Sequence, residues 1–178
     1  MAEIERVVIF GPESTGKSTL TEALARHFAE PWSPEYVRQY WIDHEGDINA
    51  RSLEAIARGQ LAGEKTAERR ARRLVFFDTG LLTCRLWDDL LFAGHCPEWV
   101  RKEGNARARS AALTLFCDSD LPWKPDPMRT FPDVQGQRMC RHLWQKALEE
   151  LGIDFVLIQG AGQERLARAI RAVEEAFG

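Results

Sequence analysis

The sequence predicts an α/β fold in which a parallel sheet is covered by helices. Apolar runs of strand length alternate along the chain with segments of helical period, which is typical of strand–helix–strand units. A glycine-rich turn lies between the first apolar run and the first helical segment. The 178 residues are close to the size of one ordinary domain. We therefore expect a single domain over residues 1–178 with a five-stranded sheet.

Each predicted strand follows from a local feature of the sequence. Four apolar runs of strand length lie at 6–10, 74–77, 113–117 and 155–158. The segment 31–36 is also extended, but its two prolines predict a short piece rather than a long central strand.

About six or seven helices are predicted, and six of them are placed from apolar side chains at helical spacing and from capping residues. The first begins at about residue 17, and the second follows an N-cap at Ser52. Three more lie at 80–92, 97–109 and about 137–151. The last has apolar residues at positions 166, 170, 173 and 177.

Composition excludes several classes of protein. The chain has 24 Lys and Arg residues against 27 Asp and Glu, a formal net charge of −3, whereas a dedicated nucleic-acid binder is usually strongly basic. No apolar run approaches the ~20 residues that span a bilayer. Glu3, Glu5 and Arg6 precede a short apolar run, unlike a signal or transit peptide. No two of the four cysteines have the close spacing of zinc or redox motifs, so buried thiols are expected. We expect a cytoplasmic protein without a membrane partner.

The strongest motif is GPESTGKS at residues 11–18, which matches G-x-x-x-x-G-K-[ST] between a predicted strand and a predicted helix. Glycines let such a loop curl so that N–H groups face phosphate oxygens, and the helix presents its positive dipole to the same anion. The motif lysine reaches the β- and γ-phosphates, and the next hydroxyl binds Mg²⁺. The predicted nucleotide-binding residues are Gly11, Glu13, Ser14, Thr15, Gly16, Lys17, Ser18 and Thr19.

A nucleotide bound by such a loop needs a carboxylate at the end of a neighbouring strand for its Mg²⁺ shell. Asp78 directly follows the apolar run 74–77 and is predicted to form the metal site with Ser18. The alternative is that Asp78 or Thr79 caps a helix starting near Gly80, and both roles are compatible.

ATP is predicted rather than GTP, because the chain has no Asn-Lys-x-Asp guanine-reading motif. Gly160 and Gly162 follow the last predicted strand, where a loop is placed to wrap the adenine. A plain turn between strand and helix is the alternative.

The acceptor side is predicted from Glu35 and Arg38, just past the second extended segment. A carboxylate there can accept the proton of an acceptor hydroxyl, an effect worth roughly 10²–10⁴-fold. The alternative is a surface ion pair at a helix start.

Residues 118–134 form a predicted lid, because they hold four of the eight prolines and are too long for an idle connection. The lid carries Trp123, Lys124 and Arg129. A cation delivered by a closing lid offsets charge on the moving phosphoryl group, and closure excludes water. A solvated loop is the alternative.

Four groups of residues together resemble one family: 11–19, Glu35-Tyr36-x-Arg38, Phe77-Asp78-Thr79 and Leu121-Pro122-Trp123-x-x-Asp126-x-x-Arg129. In order and spacing, from about residue 5 to 175, they resemble the P-loop ribosylnicotinamide kinase domain of NadR-type NAD-salvage proteins. Similar stand-alone domains are classed as AAA-type ATPases. The resemblance implies an NMP-kinase-like sheet in the order 2-3-1-4-5, and transfer of the ATP γ-phosphate to the ribose 5′-hydroxyl of nicotinamide riboside. The catalytic residues would be Lys17, Glu35, Arg38, Asp78 and Arg129.

The other predicted substrate-binding residues lie near this acceptor pattern or in the lid: Tyr36, Gln60, Trp87, Trp123 and Asp126. Gln60 falls on the apolar face of its helix, which is odd for pure packing. A cationic nicotinamide ring would be bound well by an aromatic face, although core packing is the alternative for each tryptophan.

Two further functions stay open. A polynucleotide 5′-end or another nucleoside is an alternative acceptor, based on the basic clusters at 69–73 and 101–109, but nucleic acid is not favoured. The second open alternative is a nucleotide-dependent regulatory ATPase module.

Overall fold

The computed structural model describes residues 4–178. Its strands are β1 (Glu5–Phe10), β2 (Trp32–Ser33), β3 (Leu74–Asp78), β4 (Leu113–Cys117) and β5 (Val156–Ile158). They form one parallel sheet in the order β2-β3-β1-β4-β5, flanked by helices. This arrangement confirms the predicted fold class and strand order.

The helices are α1 (Lys17–Phe28), α2 (Tyr36–Asp43), α3 (Ser52–Arg70), α4 (Leu82–Leu91), α5 (Glu98–Arg109), α6 (Val134–Glu150) and α7 (Gly162–Phe177). The sequence pattern does not predict α2, because the helix has only eight residues, none of them is buried, and no side chain caps its start.

Two predicted helix starts are wrong for local reasons. Ser52 is the first residue of α3 rather than its cap, and its hydroxyl accepts the N–H of Asn49 at 3.2 Å. Helix α6 begins at Val134, earlier than expected, because the Asp133 carboxylate accepts the N–H of Gly136 at 2.8 Å and caps it. The predicted lid is thus the segment 118–133 between β4 and α6, which contains no helix or strand.

Successive strand side chains pack on opposite faces of the sheet. Ile9 and Phe76 pack with α1 and α7, whereas Phe10 and Phe77 pack with α4 and α6. A third apolar cluster lies among α3, α4 and α5, and one face of α2 contributes the half-buried Val37 and Tyr40 to its edge. This third cluster supports the acceptor side of the molecule separately from the sheet.

The carboxyl ends of the strands meet at one edge of the sheet because all the strands are parallel. Open α/β sheets bind ligands at this edge. The segments that converge there are the loop 11–16 after β1, Glu35 after β2, Asp78 with Thr79 at the end of β3, and the lid after β4.

The four cysteines are all free and buried, as expected. Within residues 4–178, no helix has both the length and the apolar character required to cross a bilayer.

Candidate active site

The backbone between β1 and α1 has the curl that the motif predicts. Gly11, Ser14 and Gly16 have φ values of 143°, 62° and 76°. A Cβ at position 11 would lie 2.7 Å from the carbonyl oxygen of Cys117 in β4. Only glycine fits there without moving the neighbouring strand.

Side chains of the loop hold this curl from inside. The carbonyl oxygen of Pro12 accepts the hydroxyl of Thr15 at 2.8 Å and the ammonium of Lys17 at 2.7 Å. The lysine is therefore folded over its own loop, where its charge faces the position that phosphates occupy in loops of this kind.

A cavity of about 500 Å³ opens in front of the loop. The predicted site residues that line it are Gly11, Glu13, Ser14, Thr15, Gly16, Lys17, Ser18, Thr19, Glu35, Arg38, Gln60, Trp87 and Arg129. The remaining predicted site residues lie outside its lining: Tyr36, Asp78, Trp123, Asp126, Gly160 and Gly162. The fold thus brings the phosphate loop, an acceptor-side carboxylate and a lid arginine to one cavity.

Glu35 is half-buried in the extended turn before α2. Burial raises the pKa of its carboxyl, the positive charge of Lys17 opposes that shift, and the negative charge of Asp78 adds to it. The carboxyl therefore lies within electrostatic reach of both the phosphate-binding lysine and the predicted metal site. A raised pKa makes its anion a better proton acceptor.

Gln60 supports this turn from below. Its Oε1 accepts the N–H of Tyr36 at 2.9 Å, and its Nε2 donates to Glu64 Oε1 at 3.0 Å. Glu64 is buried and pairs with Arg107, at 2.6 Å between Oε2 and Nε. Both ends of the Gln60 amide are thus bound by the protein, which fixes the residue after Glu35.

Tyr36 packs over α3 instead of facing the cavity. A Cβ at Gly59 would overlap the Tyr36 ring, so the glycine lets the aromatic side chain lie directly on the helix backbone. This contact and the Gln60 hydrogen bond attach the start of α2 to α3.

Asp78 is 1% exposed at the end of β3, and its described hydrogen bond comes from the Thr79 hydroxyl at 3.5 Å. Thr79 has a φ of 62°, and its N–H donates to the Ile9 carbonyl at 2.9 Å. The Ser18 side chain is exposed and lines the cavity. A hydroxyl and a carboxylate are the oxygen donors that Mg²⁺ prefers, and phosphates and water usually complete its shell. Accordingly, residues 4–178 contain no group of three or more His, Cys, Asp or Glu side chains able to hold a metal alone.

Aromatic side chains form one wall of the cavity. Trp87 stacks nearly parallel to Phe131, with ring centroids 6.4 Å apart, and meets Trp144 edge-on at 4.9 Å. Trp41 of α2 also lines the cavity. Trp123 lies in the lid outside the cavity, and the Arg129 guanidinium packs 5.3 Å from its ring centroid.

Glu13 contacts the lid. Its carboxylate accepts the N–H groups of Thr130 at 3.0 Å and Phe131 at 2.7 Å, and the neighbouring Ser14 hydroxyl accepts the N–H of Lys124 at 3.3 Å. These bonds fix the residues on either side of Arg129, so the phosphate loop itself holds the lid over the cavity.

A second contact joins the lid to the acceptor side. Arg38 Nη2 lies 3.0 Å from Asp126 Oδ2. An N–H bond from Met128 and the charge of Arg38 lower the pKa of Asp126. Asp126, predicted to bind substrate, here positions Arg38 beside the cavity.

The last predicted nucleotide contact is the turn after β5. Gly160 has a φ of 90°, and its N–H donates to Asp120 at 2.6 Å. Gly160 and Gly162 therefore lie on the nucleotide-loop side of the sheet edge, next to the start of the lid.

Sequence reasoning does not find Glu64, Arg107 or Arg165, whose contacts hold parts of the site. Glu64 lies four residues after Gln60 on the same buried helix face, and that spacing is a usable signal. Arg107 pairs with Glu64 and Arg165 binds the Thr15 carbonyl, both from helices distant in sequence, and no local pattern marks either arginine.

The sequence profile of a family described as AAA domain matches residues 6–165. The chain belongs to this AAA domain family. Among relatives of this AAA domain, the trifunctional NAD biosynthesis/regulator protein NadR of Salmonella typhimurium is 26% identical over 188 residues, and NadR of Escherichia coli gives the same values. The match covers 98% of this chain and 43% of NadR, so the chain spans less than half the length of these relatives.

Solved structures share the fold of this AAA domain. NadR in complex with NR has a TM-score of 0.73, and NadR in complex with NAD and AMP-PNP has 0.72, both at 22% identity over 97% of this chain and 49% of theirs. A deoxyadenosine kinase from M. mycoides has a TM-score of 0.64 at 11% identity, covering 96% of this chain and 99% of its own. The fold is therefore that of P-loop nucleoside kinases.

Proposed function

We propose that this protein is an ATP-dependent kinase that transfers the γ-phosphate to the 5′-hydroxyl of a ribosyl compound, with nicotinamide riboside as the leading acceptor. The observation that carries the proposal is the single cavity shared by the phosphate loop, Glu35 and the lid residue Arg129. Phosphoryl transfer requires little covalent chemistry from the protein, and it depends on this kind of positioning and charge.

The donor is bound on the loop side. The N–H groups of the curled backbone and the Lys17 ammonium bind the phosphates of ATP. Mg²⁺, when bound, neutralises charge on the β- and γ-phosphate oxygens, and Ser18 and Asp78 are the residues that would hold it.

Glu35 is the residue that binds the acceptor hydroxyl. The carboxylate hydrogen-bonds the 5′-hydroxyl and receives the hydroxyl proton. Burial raises the pKa of this carboxyl, which makes its anion a better proton acceptor. Arg38 and Arg129 face the same space and offset charge on the moving phosphoryl group.

The acceptor base is assigned to the aromatic wall. Trp87 and Trp41 line the cavity, and aromatic faces stabilise a cationic ring such as nicotinamide riboside. The relationship to NadR, which has been solved with NR, supports this acceptor.

Another nucleoside is the second candidate, because a deoxyadenosine kinase shares the fold. A polynucleotide acceptor is less well supported, since two arginines of the basic cluster at 101–109 are engaged internally. Arg101 pairs with Asp88 at 2.7 Å, and Arg107 pairs with Glu64 at 2.6 Å.

The test measures labelled-ATP transfer to nicotinamide riboside, other nucleosides and 5′-hydroxyl oligonucleotides. Transfer to nicotinamide riboside supports the proposal, and ADP release that no acceptor stimulates indicates a regulatory ATPase instead. Lys17→Ala should abolish transfer and leave the fold intact, whereas the surface variant Lys146→Ala should be fully active. Full activity of Lys17→Ala would refute the proposal.

A further inference from the structure

We propose that Arg165 is a positioning residue that presets the phosphate loop for its ligand by holding one peptide unit of the loop from outside. Arg165 is the fourth residue of α7 and is 4% exposed. Its own side chain does not line the cavity, and its guanidinium joins the three loops that follow β1, β4 and β5.

The contacts of the guanidinium are specific. Nη2 donates to the carbonyl oxygen of Thr15 at 2.9 Å and to that of Asp118 at 3.0 Å. Nη1 donates to the carboxylate of Asp120 and to the carbonyl oxygen of Gly160, both at 2.8 Å. The planar fork of an arginine is the side chain that can reach four oxygens in one plane.

The Thr15 contact has a direct consequence for phosphate binding. In a planar trans peptide unit, the C=O of one residue and the N–H of the next point in opposite directions. Because Arg165 binds the Thr15 oxygen from the outside, the N–H of Gly16 is directed to the inner side of the curl. N–H groups on that side are the ones that bind phosphate oxygens in such loops.

The position of Arg165 carries an electrostatic cost. A cation in the first turn of a helix opposes the positive end of the helix dipole. A buried guanidinium also loses hydration, which must be replaced by hydrogen bonds and a counter-ion. Asp120 is that counter-ion, and its other oxygen accepts the N–H of Gly160. The same network therefore fixes the turn predicted to lie near the adenine.

This inference rests on the nucleotide-binding part of the proposed function and is independent of the acceptor. Arg165 raises the affinity of the loop for the phosphate groups of the nucleotide by orienting the N–H of Gly16. It contacts no substrate atom itself.

The experiment titrates MgADP, and separately inorganic pyrophosphate, into the 178-residue protein by calorimetry. Arg165→Met removes all four bonds, and Arg165→Lys keeps the charge but cannot bridge the loops. Arg168→Met is the matched control, since Arg168 lies on the same helix, is exposed and pairs only locally with Glu164 at 2.7 Å.

We expect Arg165→Met to weaken the binding of both ligands about tenfold or more, as for one misdirected hydrogen bond to a charged group. The affinities of Arg165→Lys should lie between those of Arg165→Met and wild type, and the affinities of Arg168→Met should match wild type.

A purely structural role predicts a different result, namely a lower melting temperature with unchanged ligand affinity in the folded fraction. That result for Arg165→Met or Arg165→Lys overturns the inference. If neither variant folds, Asp120→Ala decides the matter, because it removes the exposed counter-ion and leaves the core untouched. We expect about threefold weaker pyrophosphate binding in that variant, and unchanged affinity overturns the inference. Wild-type protein that binds neither ligand would refute this inference and the proposed function together, whereas nucleotide binding without transfer to nicotinamide riboside would refute only the latter.

Discussion

The phosphate loop and the lid line the same cavity but are held in different ways. The loop is fixed by backbone geometry, with left-handed residues such as Gly16 and no room for a Cβ at Gly11. The lid is fixed by a few hydrogen bonds from its N–H groups to Glu13 and Ser14, and by the Arg38–Asp126 pair. A site fixed by backbone packing is preformed, whereas one fixed by a few side chains can open and close. Four predictions test this difference.

The largest effect is expected for Arg129→Ala. If the lid delivers this charge to the moving phosphoryl group, kcat should fall by about 10³-fold, while affinity for MgADP on the preformed loop stays near wild type. Steady-state kinetics and calorimetry measure the two quantities. The exposed α6 variant Arg138→Ala is the control, and wild-type kcat in Arg129→Ala would show that the lid is only a solvated loop.

Glu35→Gln should lower kcat by about 10²-fold, because the amide cannot accept the hydroxyl proton. The raised pKa of Glu35 also predicts the pH profile. Its anion is the active form, so kcat/KM for the acceptor, which reports the pKa values of the free enzyme, should rise with pH through a pKa above the ordinary glutamate value, and the variant should lose this limb. Measurements of kcat and of the pH dependence of kcat/KM check the two points, with Glu175→Gln on the surface of α7 as control. An unchanged acid limb in the variant would assign that titration to another group.

Glu13→Ala should lower transfer by about tenfold, because the N–H groups of the two residues that follow the lid arginine lose their acceptor. Water should then reach the cavity, so the ratio of ATP hydrolysis to transfer should rise. Parallel assays of ADP and phosphorylated acceptor measure that ratio. Glu13→Gln keeps one acceptor oxygen and should be intermediate, whereas equal loss in both variants with an unchanged ratio would place Glu13 on the nucleotide instead.

The smallest effect is expected for Gln60→Leu, about fivefold, because Glu35 keeps its carboxylate and loses only the support of its turn. We expect lower kcat with unchanged KM for ATP. Gln39→Leu on the exposed face of α2 is the control. If Gln60 binds the acceptor directly, the KM for the acceptor should rise instead.

The phosphate loop and the acceptor side, to which the lid belongs, also differ in how far the sequence predicts them. The phosphate loop is one continuous motif whose residues act through local backbone geometry, so Gly11–Ser18 and the flanking β1 and α1 are predicted together. The acceptor side is assembled from α2, α3 and the lid, and α2 is a helix of only eight residues with no buried residue and no capping side chain to mark it. The sequence pattern indicates Glu35, Gln60 and Arg129 as candidates, but it does not show that Gln60 is bound at both ends by Tyr36 and Glu64.

The sequence alone determined the fold class, the order in which strands and helices alternate, and the place of phosphate binding, because hydrophobic period and loop motifs are local properties of the chain. Only the tertiary structure decided which distant side chains hold that site. Arg165 reaches Thr15 across 150 positions of the sequence, and Arg107 reaches Glu64 across 43. Such contacts depend on how helices pack on the sheet, which no short-range pattern records.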